Sequence, residues 1–169
     1  MKKVIILTLL AVLAVGNMFA QSLVGKWDMD VTALKSSGVT SSTIEYTKSG
    51  TFKMTTIYTF DARDGVSFEF TLFMDGKYEV SGKAMCREIN PESIKGSWDI
   101  ICPSCDKTNL EKGRAAGAST MNDALNEVIK TAKSEVTSRG MYQQILQLNE
   151  DTLVIQVPGG NLEVCSRLL

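Results

Sequence analysis

The sequence contains no histidine. Histidine supplies the general base of Ser-His-Asp and Cys-His nucleophile pairs, and it is a common ligand of catalytic zinc. Its absence excludes these designs, although carboxylate and thiol chemistry stay open. Glu69 and Glu79 lie between apolar residues of alternating segments, so we expect them on a solvated face. We therefore predict no catalytic residue, no metal, no cofactor and a protein that is not an enzyme.

The chain also lacks a large excess of charge of either sign, since it contains 18 basic and 19 acidic residues. No basic stripe occurs anywhere along the chain. A nucleic-acid-binding domain would need a basic patch to neutralise phosphates. The composition thus disfavours a nucleic-acid partner.

Long apolar runs are absent except at the N-terminus. Lys2 and Lys3 precede an apolar run over residues 4–15 that only Thr8 interrupts, and Ala20 provides the small residue of a cleavage site. The run is shorter than the roughly 20 residues of a membrane span. The pattern predicts a signal peptide over 1–20 and a single domain over 21–169, without a membrane span. We expect export to the periplasm or the extracellular space, with a bacterial envelope favoured.

From residue 21 to 102, apolar and polar side chains alternate in short segments separated by turn residues. One face carries Phe52, Met54, Tyr58 and Phe60, for example. Such alternation indicates antiparallel strands with one buried face. Asp75-Gly76 is the strongest hairpin signal in the chain. A meander of this length is expected to curl and close into a barrel, which removes its exposed edges.

The pattern changes after the first block of strands. Residues 103–118 are small and polar and predict a loop, whereas residues 120–138 have helical spacing. Thr120 with Asp123 resembles a capping box, and Gly140 fits a left-handed C-terminal position. We predict a mainly β, antiparallel up-and-down barrel of about eight or nine strands, with one amphipathic helix (about 120–138) inserted before the last three. The predicted packing stripe of that helix is Met121, Leu125, Val128, Ile129, Ala132 and Val136.

Several short motifs resemble those of lipocalins and small bacterial lipocalin-like domains. Gly25-Lys26-Trp27 resembles the Gly-x-Trp signature of the first barrel strand, and residues 145–155 resemble a penultimate hairpin. The resemblance implies a barrel that holds a small apolar molecule. Trp27 could instead simply plug one end of the barrel. The candidate ligand-lining residues on the apolar faces are Trp27, Phe52, Met54, Tyr58, Phe68, Phe70, Leu72, Tyr78 and Trp98.

Four cysteines in an exported domain indicate disulfides. Of the three pairings, we favour Cys102–Cys105 together with Cys86–Cys165. Cys102-Pro-Ser-Cys105 also has the spacing of thiol-disulfide oxidoreductases, but the residues after it predict no helix that would activate a thiolate. A four-cysteine zinc site would need a second closely spaced pair, which the sequence lacks.

Three functions follow from these observations. The favoured one is an exported, non-enzymatic, lipocalin-like barrel that binds a small hydrophobic ligand. The first alternative is a barrel filled by its own side chains that binds another protein in the envelope, as an inhibitor or assembly factor. The second is a thiol-redox protein that uses Cys102 and Cys105. A cavity above about 300 Å³ would favour the first function over the filled barrel.

Overall fold

The computed structural model describes residues 23–62, 65–136 and 140–169. The predicted signal peptide lies outside these residues. The described elements are the strands β1 (Gly25–Met29), β2 (Val39–Tyr46), β3 (Thr51–Asp61), β4 (Ser67–Ser81), β5 (Ala84–Ile89) and β6 (Lys95–Ile101), the helix α1 (Lys107–Glu135), and the strands β7 (Met141–Leu148), β8 (Thr152–Gln156) and β9 (Leu162–Leu168). Two short 3₁₀ helices cover Thr32–Ser37 and Pro91–Ser93.

Eight of the described strands form a closed antiparallel barrel. Its order is β1-β2-β3-β4-β5-β7-β8-β9, and β9 pairs back onto β1 with Lys26 opposite Leu168. The ninth strand, β6, pairs with β4 outside this ring. The predicted fold class, including the helix before the last three strands, is confirmed.

The extra strand fits because β4 is unusually long, at 15 residues. One edge of β4 pairs with β3 from Ser67 to Lys77. On the other edge, β6 pairs with Ser67–Phe73 and β5 pairs with Gly76–Ser81. Two strands therefore lie end to end along one edge of β4, and only β5 continues around the barrel.

The predicted hairpin at Asp75-Gly76 is wrong, because β4 runs straight through this pair. Gly76 lies where the edge of β4 passes from β6 to β5, and the β4–β5 hairpin turn follows Ser81. A Cβ atom at Gly76 would lie 2.1 Å from the carbonyl oxygen of Glu88. The glycine thus serves close backbone approach rather than a turn.

The predicted helix boundaries are also wrong. The helix begins at Lys107, within the predicted loop, and Asp106 caps it by accepting a hydrogen bond from the Asn109 backbone N–H at 2.9 Å. Thr120 and Asp123 therefore lie inside the helix and form no N-terminal cap. The helix ends at Glu135, and Gly140 does not adopt a left-handed conformation. A single Asp cap and a long run of good helix formers outweigh the glycines at 113 and 117.

One end of the barrel is filled by its own side chains. Trp27 is completely buried, and its indole N–H donates to the Leu23 carbonyl at 2.8 Å. The Arg167 guanidinium lies 4.2 Å from the Trp27 ring centroid and donates to the Val24 carbonyl at 2.9 Å. Further core residues at this end are Ile44, Tyr46, Phe52, Tyr78, Met85, Ile145, Leu153, Ile155 and Cys165.

We predict that Gly76→Ala lowers the free energy of unfolding by about 1–3 kcal/mol, because the new methyl group collides with the backbone of β5. Urea denaturation of both proteins measures the change. Lys77→Ala is the matched control, since Lys77 is the exposed neighbour in the same strand. Equal stabilities for Gly76→Ala and the control would contradict the close approach of β4 and β5.

Candidate ligand-binding cleft

A second apolar core forms where α1 packs on the sheet beyond the filled end. Tyr58 on β3, Phe70 on β4 and Trp98 on β6 lie directly opposite one another in register and share one face. This is the face of β4 that carries Tyr78 into the barrel core, because both positions have the same parity along an uninterrupted strand. Leu125 of α1 is buried against this row. The helix therefore covers an inward face that no opposing strand covers.

The approach of α1 depends on a second glycine. A Cβ atom at Gly96 on β6 would lie 2.9 Å from the Leu125 side chain. Trp98, two residues along, donates its indole N–H to Asn122 of α1 at 2.7 Å. The predicted packing stripe of the helix is confirmed from Met121 to Ala132, since these residues contact this second core.

Between α1 and the β3–β4 ladder lies a cavity of about 340 Å³, which we call the cleft. Its floor is apolar and largely aromatic, and the polar residues at its rim come mostly from α1. Its lining residues are Ser37, Tyr58, Phe60, Phe70, Leu72, Glu127, Val128, Thr131, Ala132 and Glu135. The volume lies at the lower end of the range of small-molecule pockets.

The structure divides the candidate ligand-lining residues among four environments. Tyr58, Phe70 and Leu72 line the cleft. Phe52 and Met54 line a second, smaller cavity, and Phe68 and Trp98 pack beneath α1. Trp27 and Tyr78 belong to the filled end of the barrel and line neither cavity. The location of Trp27 fits the simpler interpretation, in which it plugs the barrel.

The second cavity, of about 170 Å³, contains a buried ion pair. Nη2 of Arg87 donates to both carboxylate oxygens of Glu163, at 2.8 and 2.7 Å, and Nη1 donates to the Tyr46 hydroxyl at 3.3 Å. Arg87 is 9% exposed, so its charge depends on this partner for compensation. The remaining lining residues are Phe52, Met54, Met74, Ile89 and Met141.

One buried polar atom among the described residues has no hydrogen-bond partner. It is Oε1 of Gln143, whose Nε2 donates weakly to the Met141 sulfur at 3.2 Å. Gln143 pairs in register with the fully buried Met85, so it faces the barrel interior. The barrel interior beside Met85 is therefore not uniformly apolar.

A third depression, of about 490 Å³, is larger than the cleft but differs in character. It is lined by the turn residues Asn149, Glu150 and Asp151, together with Arg167 and Leu169. It contains no aromatic residue and only one apolar side chain. It lies at an exposed turn beside Leu169, which is itself fully exposed.

The structure confirms one predicted disulfide and contradicts the other. Cys102 and Cys105 are bonded, whereas Cys86 and Cys165 are free. Cys86 lies between the inward-facing Met85 and Arg87, so it faces outward, while Cys165 belongs to the barrel core. Two thiols on opposite faces of the wall cannot reach each other.

The surroundings of Cys102 and Cys105 differ from those that the sequence predicted. A helix does begin just after Cys105, contrary to the sequence-based expectation. However, the Asp106 carboxylate already accepts hydrogen bonds from the backbone N–H and the side-chain amide of Asn109. The carboxylate places a negative charge where a thiolate would otherwise be stabilised. The bridge lies between the end of β6 and the start of α1, and the thiol-redox alternative stays a prediction.

The protein-binding alternative would require an exposed surface, and the outer face of β7–β9 offers the most apolar one. Tyr142 is 77% exposed and Leu162 is 56% exposed. Leu146, Val164 and Leu168 on the same strands are also exposed. This alternative stays a prediction.

In the described ranges, no cluster of three or more potential ligand side chains could hold a metal ion, and no helix combines the length and apolarity of a membrane span. No protein-family model matches the chain, and no curated protein matches it significantly. The resemblance to lipocalin-like domains therefore stays a prediction beyond the barrel itself.

Sequence reasoning missed the helix side of the cleft and the buried ion pair. Glu127, Thr131 and Glu135 follow one another at intervals of four, which places them on one helical face. That spacing was detectable, but the polarity of the three residues suggested only solvent exposure. Arg87 alternates with Met85 and Ile89, which was the one available sign that it faces inward.

We predict that Glu163→Gln lowers the free energy of unfolding by about 3 kcal/mol, because it leaves the Arg87 charge buried without compensation. Glu127→Gln is the matched control. It breaks an exposed pair with Lys130 and should cost less than about 1 kcal/mol. Urea denaturation measures both variants. The double variant R87M/E163M should recover most of the loss, and a double variant less stable than Glu163→Gln would contradict this account.

Alkaline pH should destabilise the barrel core. Burial raises the pKa of Cys165 from 9.0 to about 12, and burial raises the pKa of Tyr46 from 10.0 to about 12. The unfolded chain loses these protons first, so the stabilisation is complete below pH 9 and is lost as the pH rises toward 12. The slope is at most about 1.4 kcal/mol per pH unit for each group.

Denaturation at stepped pH tests this prediction. Between pH 9 and 10 the loss should come mainly from Cys165, because Tyr46 contributes only above its ordinary pKa of 10.0. Cys165→Ala should therefore flatten the pH dependence in that interval, although it lowers stability at neutral pH. If the slope of unfolding free energy against pH is unchanged in Cys165→Ala, the Cys165 thiol does not contribute to the loss of stability.

Proposed function

We propose that the protein is an exported, non-enzymatic binding protein that holds a small, mainly apolar molecule in the cleft between α1 and the β3–β4 ladder. The observation that carries the proposal is the cleft itself, a solvent-open volume of about 340 Å³ between aromatic strand faces and the helix. A volume of this size on an otherwise inward-facing sheet surface is available to a ligand.

The composition of the floor supports an apolar ligand. Phe60 and Phe70 pack edge to face with ring centroids 5.9 Å apart, and Leu72 is almost completely buried beside them. Val128 and Ala132 complete the apolar surface from the helix side. Burying apolar ligand surface here gains roughly 25 cal/mol per Å². Export follows from the predicted signal peptide, and the absence of histidine supports a binding role over catalysis.

The test is a fluorescence titration with Nile red, a neutral apolar dye. We predict saturable binding to the wild type, and at least about tenfold weaker binding to Ala132→Phe, whose added ring fills part of the cleft. Ala124→Phe is the matched control, because Ala124 is exposed on the same helix and does not line the cleft. Circular dichroism confirms that both variants are folded.

Two results would contradict the proposal. The first is no saturable binding to the wild type. The second is equal affinity in Ala132→Phe and Ala124→Phe, which would place the dye elsewhere, for instance on the outer face of β7–β9.

A further inference from the structure

All charged side chains that line the cleft are acidic. They are Glu127 and Glu135, and both belong to α1. Thr131 lies between them, so the three residues form one row along the helix rim, about 12 Å from end to end. No described basic residue lines the cleft. The rim therefore presents negative charge to anything that enters.

The aromatic floor, like the acidic rim, favours a positively charged ligand group. The faces of Tyr58, Phe60 and Phe70 carry the negative part of the ring quadrupole, which attracts cations within about 6 Å. The pKa of Tyr58 is raised, first by burial and then by the charge of Glu135, so this carboxylate acts on the floor of the cleft. The charge of Glu135 disfavours the tyrosinate form of Tyr58, and it would repel an anionic ligand group at the same place in the same way.

The neighbouring lysines do not cancel this charge. Lys130 lies 3.4 Å from Glu127, but both side chains are about three-quarters exposed. Such a pair contributes little and is readily exchanged for another cation. Lys133 pairs with Glu92 instead, at 3.5 Å. No described basic side chain forms an ion pair with Glu135.

We infer that the ligand of the cleft is an amphipathic organic cation, an amine or quaternary ammonium with an apolar body. The inference rests on the proposed function, because it assigns the chemistry of the molecule that the same cleft binds. The apolar body would lie on Phe60, Phe70 and Leu72. The cationic group would lie at the rim, between the ring of Tyr58 and the carboxylates of Glu127 and Glu135.

The test compares octylammonium, octanol and octanoate, which share one apolar chain and differ in charge. Their dissociation constants are measured by displacement of Nile red, below the micelle concentrations of the two ions and below the solubility limit of octanol. We expect octylammonium to bind about fivefold to tenfold more tightly than octanol, and octanoate to bind most weakly. Added salt should reduce the difference between octylammonium and octanol, because part of it is electrostatic.

The double variant E127Q/E135Q tests whether the two rim carboxylates cause the preference for octylammonium over octanol. It should bring the ratio of octylammonium to octanol affinity toward one. The matched control is E111Q/D123N, which makes the same change in net charge at exposed positions of α1 outside the cleft, and it should keep the wild-type ratio. Circular dichroism checks that each double variant is folded.

The outcomes separate the two proposals. If Nile red itself does not bind, the proposed function fails. If Nile red binds but none of the three compounds displaces it, the proposed function stands and the inferred cation preference is wrong. If all three bind with similar affinity, or octanoate binds most tightly, the cleft binds apolar molecules and the inferred cation preference is wrong. A loss of preference in E111Q/D123N equal to that in E127Q/E135Q would attribute the effect to net charge and would also overturn the inference.

Discussion

The second edge of β4 is shared by two strands, and the rest of the architecture depends on that division. β5 takes the edge from Gly76 onward and continues into the barrel, while β6 takes the part before Asp75. Because β6 lies outside the ring, none of the described strands opposes its inward face. An apolar sheet face must still be covered, and α1 covers it. The cleft lies where a helix, rather than an opposing strand, completes the packing.

The two ends of the molecule therefore use different kinds of packing. Around Trp27 the interior is filled, and the indole N–H and the Arg167 guanidinium both have partners. Around Phe70 a single helix rests on three strands and leaves volume between its rim and β3. A helix touches a flat sheet along one line, so side chains away from that line are only partly covered. The proposed binding site thus lies at the less completely packed end.

Much of the fold could be predicted from the sequence, because period-two alternation depends only on which face is buried. Most of the strands lie where alternation placed them. The helix start was missed because the glycines at 113 and 117 suggested a loop, whereas the Asp106 cap and the good helix formers around these glycines favour a helix. The hairpin turn predicted at Asp75-Gly76 was wrong for a different reason. Gly76 is needed because the backbone of Glu88, in another strand, passes close to it. A local sequence pattern contains no sign of that contact. The unpaired Cys86 and Cys165 show the same limit, since pairing depends on which side of the wall each thiol occupies.

The pairing of β1 with β9 has a consequence for how the molecule assembles. This seam joins the two ends of the described chain, so it forms only after nearly all of the chain is available, and contacts of such high sequence separation form slowly. The walls of the cleft, apart from Ser37, come from one contiguous stretch between Thr51 and Glu135. Fraying of the seam by local unfolding would leave the β3–β4 and β4–β6 pairs and the covering helix in place. The order of the strands thus separates the cleft from the β1–β9 seam that closes the barrel.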